Sequence, residues 1–149
     1  MVRPRQYELE ELISVLLKEH KMIMNDITEL KNAINEKNHE KINEIFTRFD
    51  SYLNQHVIDE EARLLKILLD SYGRGGSKEA IKVFQQHLKI HQLINNIKTL
   101  VNTSLESLNA EELNAKEIEL NEMFKLHFEK EEKEIFPWVI ETYKKVIKK

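Results

Sequence analysis

The sequence predicts an all-α protein, an up-down-up-down antiparallel four-helix bundle with a short C-terminal helical extension. Three observations carry that expectation. Apolar residues recur at three- and four-residue steps over four long stretches. Three glycines and two prolines in 149 residues supply few tight turns or strand breaks. One pattern of residues occurs twice, the second copy 71 residues after the first. The length suits one domain, 1–149, built of two pseudo-symmetric helical hairpins at about 7–72 and 77–136.

The first stripe runs through Leu9, Leu12, Ile13, Leu16, Leu17, Ile23, Ile27, Leu30 and Ile34, one face of an amphipathic helix. The polar string NEKNHEK interrupts it. A second stripe follows from Ile42 through Phe46, Phe49, Leu53, Val57 and Leu64 to Leu68, and the GRGGS string at 73–77 is expected to end it as a turn. Ser77 is then the expected N-cap of a third helix, with Ile81, Phe84, Leu88, Leu93, Ile94, Ile97 and Val101 facing inward. Asn109 falls in the next expected loop. The fourth helix is carried by Leu113, Ile118, Leu120, Met123, Phe124 and Phe128 up to Phe136, where Pro137 removes a backbone donor and is expected to kink or end it. A short helix from Trp138 extends the chain. Helices of this length span roughly 40 Å at about 1.5 Å per residue, and short connections favour antiparallel neighbours.

A net charge of −3 and a pI near 6.1, with lysines and glutamates interspersed, give no electrostatic reason to expect nucleic acid or an acidic membrane surface. Lys144, Lys145, Lys148 and Lys149 read as a solvated helix end whose charge complements the helix dipole. The absence of cysteine excludes disulfides, iron–sulfur clusters and thiolate zinc sites, so a metal would be held by imidazole and carboxylate. The N-terminal string MVRPRQYELEELISVLL lacks a signal-like apolar core, and no stretch has the roughly 18 consecutive apolar residues of a membrane span. A cytoplasmic location is expected.

The repeat is the chemical signal. His20, His56 and Glu60 recur as His91, His127 and Glu131, with 36 residues between the histidines in each copy. Residues four apart on a helix share a face, so His56 with Glu60, His87 with His91, and His127 with Glu131 each present two donors together. His20 sits in the apolar stripe and is expected to point inward. One such histidine alone is more often a satisfied core residue than a ligand. Five imidazoles and two carboxylates buried together would be costly unless cations paired them. The repeat has one defect: His87 has Leu16 as its counterpart, so one half carries an extra donor. His87, His91 and His127 are expected at one ion and His20 and His56 at the other, with Glu60 and Glu131 between them. The second ion keeps an open position.

These residues, EH at 19–20, HVIDE at 56–60, HLKIH at 87–91 and HFEKEE at 127–132 followed by IFP at 135–137, resemble the hemerythrin family with its HHE cation-binding branch. The resemblance covers most of the chain. It implies a non-haem di-iron centre of two iron ions, carboxylate-bridged and oxo- or hydroxo-bridged, inside a four-helix bundle. Oxygen-carrying hemerythrins place the last bridging carboxylate five residues after its histidine, which points to Glu132, whereas the repeat and the HHE branch favour Glu131. Two dications against two carboxylates and a hydroxide leave a small net positive charge. The donors suit iron, zinc and manganese alike, so iron is what the resemblance implies.

The leading expectation is a protein that binds dioxygen reversibly for storage, delivery or sensing, rather than an enzyme. The alternative is an HHE-type protein acting on nitric oxide or peroxide, or handling or repairing iron centres. Ile23, Val57, Phe124 and Phe128 stand near the open position, as core residues or as an apolar lining for a diatomic ligand. Tyr52 is placed to hydrogen bond to a ligand or to another buried partner. Glu61 and Glu132 read as surface glutamates, with orientation of a metal-bound histidine as their other role. His39, outside the repeat, is expected at the surface with no part in the site.

Overall fold

The computed structural model describes residues 3–72, 74–103 and 110–147, and the regular structure of the described residues is entirely helical. In order these are α1 (Leu9–Asn35), α2 (His39–Asp59), a π-helical segment (Glu60–Leu65), α3 (Lys66–Tyr72), α4 (Arg74–Thr103), α5 (Ala110–Lys130), a second π-helical segment (Glu131–Ile135) and α6 (Phe136–Ile147). Because α2 runs through its π-segment into α3, and α5 likewise into α6, the chain forms four long helices, as in a helical bundle. Helix α1 packs on α2 and α5, and α4 packs on α3 and α5. Asn109, Gly73 and the Lys148–Lys149 end lie outside the described residues.

The break at NEKNHEK has a local cause. Lys37 adopts a left-handed φ of 55°, its amide bonds to the Ile34 carbonyl at 3.1 Å, and the Asn38 amide bonds to the Ala33 carbonyl at 3.0 Å. That is a Schellman closure, which satisfies the last carbonyls of α1. Asn38 then caps α2 by accepting from the Lys41 amide at 3.1 Å. One asparagine thus closes one helix and opens the next.

Three expectations drawn from the sequence fail here. The second long helix ends at Tyr72, directly before the GRGGS string, as expected, but α4 already begins at Arg74, so Ser77 lies inside that helix instead of capping it. Gly76 serves a close crossing: a Cβ there would fall on the carbonyl oxygen of Leu68, so only glycine lets α4 approach α3 at this point. Pro137 does not end the last helix, which continues to Ile147. It stands at the second position of α6, where the continuous helix has just left the π-segment and the regular hydrogen-bond ladder is already offset.

The third correction concerns the face of α4. Ile81, Phe84 and Leu88 are 54%, 39% and 61% exposed, and Ile118 on α5 is exposed too. The buried seam is Ala80, Val83, His87, Ile90, Ile94, Ile97 and Val101, an unbroken alternation of three- and four-residue steps.

The core has two apolar parts. One is built around Ile23, Ile27, Phe49, Leu53, Ile90, Ile94 and Phe124, and the other around Leu12, Leu16, Leu64, Leu68, Val83, Ile135 and Val139. On every long helix a polar position falls between them: His20 on α1, His56 and Glu60 on α2 and its π-segment, His87 on α4, and His127 and Glu131 on α5 and its π-segment. The fold therefore lays one buried polar layer across the bundle. No described helix is long and apolar enough to cross a membrane.

Candidate metal centre

Both π-segments begin at the glutamate of the repeat, Glu60 in one half and Glu131 in the other. A π-turn inserts an extra residue into the helical ladder and often marks a functional position. Here it swings the carboxylate inward while Leu64, Leu65 and Ile135 beyond it stay in the core. Glu60 is 1% exposed and Glu131 2%.

Around these carboxylates the structure gathers four imidazoles. His20, His56 and His127 are buried at 2–3% exposure, and His87 at 9%. His56 Nε2 lies 2.5 Å from Glu60 Oε1, and His87 Nε2 lies 2.9 Å from Glu60 Oε2. His127 Nε2 stands 3.1 Å from Glu131 Oε1, and His20 Nε2 is 3.4 Å from Glu131 and 3.7 Å from Glu60. Donor atoms fall into two groups, His20, His56, Glu60 and Glu131, and Glu60, His87, His127 and Glu131, each with its atoms within 4.8 Å of one another. The two groups share both glutamates.

His91 is the exception. It lies on the exposed side of α4 and enters neither group, so the expected five inward imidazoles are four among the described residues. Ile90 takes the buried place beside it. Glu132 is also outside both groups, its side chain 45% exposed and its Oε2 3.7 Å from His20 Nδ1. His39 is half-buried at the start of α2 and apart from the cluster. Tyr52 does not reach it either, since its hydroxyl donates to Asp26.

The outer nitrogens are held as well. His56 Nδ1 meets Glu19 Oε1 at 2.9 Å, His87 Nδ1 meets Glu61 Oε2 at 2.8 Å, and His127 Nδ1 meets Gln86 Oε1 at 2.6 Å. A ring whose Nδ1–H is donated outward turns its Nε2 lone pair inward, as metal-binding imidazoles require. Gln86 was not singled out by the sequence, and Glu19 appeared only within the EH string at 19–20 without a role of its own. Glu19 is itself anchored by Arg5, whose Nη2 is 2.9 Å away while its Nε contacts Asp59 Oδ2 at 2.5 Å. Arg63 donates to the Arg5 carbonyl at 2.5 Å and to the Tyr7 carbonyl at 2.8 Å, tying the segment before α1 across the start of the first π-segment.

Electrostatics favours positive charge in this layer. Burial opposes protonation of His56, but Glu60, Glu19 and Glu131 outweigh it and raise its pKa to about 10. Against the same burial, Glu60 and Glu61 raise His87 to about 9, and Glu131 and Glu60 raise His127 to about 10. His20 is raised as well, mainly by Glu131 once burial is overcome. Glu60 is held well below the ordinary carboxylate range, because His56 and its neighbours overcome the opposing effect of burial. Five buried atoms of the layer still lack a hydrogen-bond partner: both ring nitrogens of His20, His56 Nε2, Glu60 Oε1 and Glu131 Oε1. Such atoms cost free energy when desolvated and unpaired. Cations between them would satisfy all but the outward His20 Nδ1, so the donor set fits metal.

A family model for the hemerythrin HHE cation binding domain matches residues 11–139. The chain belongs to the hemerythrin family. The matched span contains every member of both donor groups, so this is a hemerythrin-type cation-binding domain whose His/Glu layer could hold the metal. No curated protein and no solved structure matches the chain.

Proposed function

We propose that this hemerythrin-family chain holds two iron ions in the shared His/Glu layer and binds dioxygen reversibly there, for storage, delivery or sensing. The observation that carries the reading is the overlap of two donor groups on Glu60 and Glu131. Two carboxylates common to two imidazole pairs are what a bridged metal pair needs from a protein. His20 and His56 would serve one ion and His87 and His127 the other, while His91, the fifth imidazole expected from the repeat, stands outside both groups. These residues would fix the ions, and ferrous iron bound there would supply the redox chemistry for holding a diatomic ligand. Glu19, Glu61 and Gln86 orient three of the rings. Phe128 stacks on His20 with ring centroids 3.8 Å apart, closing that side with an apolar wall.

The up-down-up-down order and the two-hairpin organisation belong to the same proposal. Their support is that the two apolar parts of the core alternate in order along the four long helices: the Leu16 part comes first on α1 and α4, the Ile23 part first on α2 and α5.

A second reading has its own support. Glu131, not Glu132, lies among the donors, and a HisxxxGlu pair there resembles the HHE branch associated with nitric oxide or peroxide chemistry and with iron handling. Metal analysis of anaerobically purified protein, followed by visible spectra before and after air is admitted and removed, separates the two. Two irons per chain with a reversible oxygen-dependent band support oxygen binding. Two irons that oxidise without a reversible band support the enzymatic reading, and absence of iron overturns both.

A further inference from the structure

Helices α2 and α4 stand apart, and between them lies a cavity of about 460 Å³. Its floor is the polar layer itself, with His56, His87 and His127 among the lining residues. Its walls are Leu53, Val57, Ile58, Phe84, Leu88 and Phe124. A water molecule occupies about 30 Å³ of liquid, so the space far exceeds what a diatomic molecule needs and falls among pockets of roughly 300–1,000 Å³ that hold organic ligands. Phe84 and Leu88 are apolar residues left 39% and 61% exposed on this wall.

The lining also states the charge of its occupant. It includes no lysine or arginine, and its one carboxylate, Glu61, is engaged by His87 at 2.8 Å. The other polar groups, Asn54, His91 and the imidazole floor, carry no negative charge. A cation would lose its hydration there without gaining an anionic partner. We propose that the cavity binds a predominantly apolar organic molecule that carries no positive charge, with its hydrocarbon surface against Phe84, Leu88 and Phe124 and one end reaching the imidazole floor. This site goes beyond the binding of a diatomic ligand and does not require it.

The probe is N-phenyl-1-naphthylamine, a neutral aromatic amine that fluoresces when removed from water, titrated into the full-length protein and displaced with 1-octanol or octylammonium. Saturable binding is expected, with octanol displacing the probe at least about tenfold more effectively than octylammonium, because the ammonium must bury its charge without an anionic partner. Leu88→Glu and Phe84→Ser change exposed side chains, so the helical circular dichroism should be retained while probe affinity falls at least about tenfold. Failure of the probe to bind, octylammonium displacing it as well as octanol does, or binding unchanged in both variants would each overturn the proposal. Metal content measured on the same samples keeps the two readings apart: full iron without probe binding sinks the cavity proposal alone, and probe binding without iron sinks the iron reading alone.

Discussion

The two halves of the repeat agree on one pair of helices and part on the other. In α2 and α5 the match is residue for residue. His56 and His127 are both buried, Glu60 and Glu131 both open a π-segment, and Leu64 and Leu65 are echoed by Ile135 and Phe136 in the core. In α1 and α4 it breaks. His20 is buried at 3% exposure while its counterpart His91 is exposed, and Leu16 is matched by His87, which supplies the imidazole one turn earlier. The beginnings differ as well, since Arg5 clamps Glu19 and Asp59 where the second half has Gly76 pressed against Leu68. The helices that carry the shared carboxylates tolerate no change of register. The helices opposite them contribute one imidazole each and can deliver it from either of two turns.

The largest effect should follow from attacking what the halves share. Glu60→Ala should remove both metals in elemental analysis, and leave four imidazoles facing one carboxylate, destabilising the fold by about 3–5 kcal/mol in denaturant unfolding. Loss of only one metal would show that Glu60 belongs to one half.

Metal-free protein should depend on pH in a defined direction. His56, His87 and His127 have pKa values raised to about 10, 9 and 10, against about 6.5 unfolded. Their contribution is fully present below about pH 6.5 and is lost as pH rises through 9 to 10. The lowered pKa of Glu60 works oppositely, adding stability above its ordinary range that disappears on acidification. Thermal unfolding of the metal-free form should therefore be highest near pH 5–7 and fall toward pH 10. Divalent metal should abolish the alkaline fall, because it replaces those protons. A melting temperature that rose from pH 7 to 10 without metal would contradict the arrangement.

The unequal beginnings give the next test. Gly76→Ala should cost about 1–3 kcal/mol by forcing α4 off α3, while metal stoichiometry is retained. Arg5→Ala should cost similar stability but also weaken metal binding by roughly 10- to 100-fold, since Glu19 then orients His56 less firmly. Equal metal affinities in the two variants would mean that Arg5 acts only as a strap.

The sharpest test of the asymmetry pairs His20→Ala with His91→Ala. The repeat alone expects either to lose a metal. The arrangement of α4 expects His20→Ala to lose one and His91→Ala to keep both, with stability changed by no more than about 0.5 kcal/mol, as for other exposed sites. Loss of metal from His91→Ala would mean that α4 turns about its axis when the ions bind, exchanging Ile90 for His91.

Much of this was legible in the chain. Helical periodicity located the four long helices, and the spacing of His20, His56, Glu60, His87, His127 and Glu131 named the six groups that meet in the polar layer. Local signals suffice there, because a three-to-four-residue period and an i, i+4 pair are properties of one helix. Leu93, Ile94, Ile97 and Val101 are buried as expected, but the sequence misjudged the face of the first half of α4, where two stripes coexist, Ile81, Phe84 and Leu88 beside Ala80, Val83, His87 and Ile90. Only the neighbouring helices choose between them. Nor could it locate the partners of the ring nitrogens, because Glu19 reaches His56 from another helix and Gln86 reaches His127 likewise. The sequence by itself determined the helices and a pool of seven candidate donors, His91 among them; which six come together was decided by the tertiary structure. The tertiary structure decided the rotation of α4, the glycine crossing at Leu68 and the hydrogen bonds that aim the imidazoles, since each depends on the distance between segments far apart in the chain.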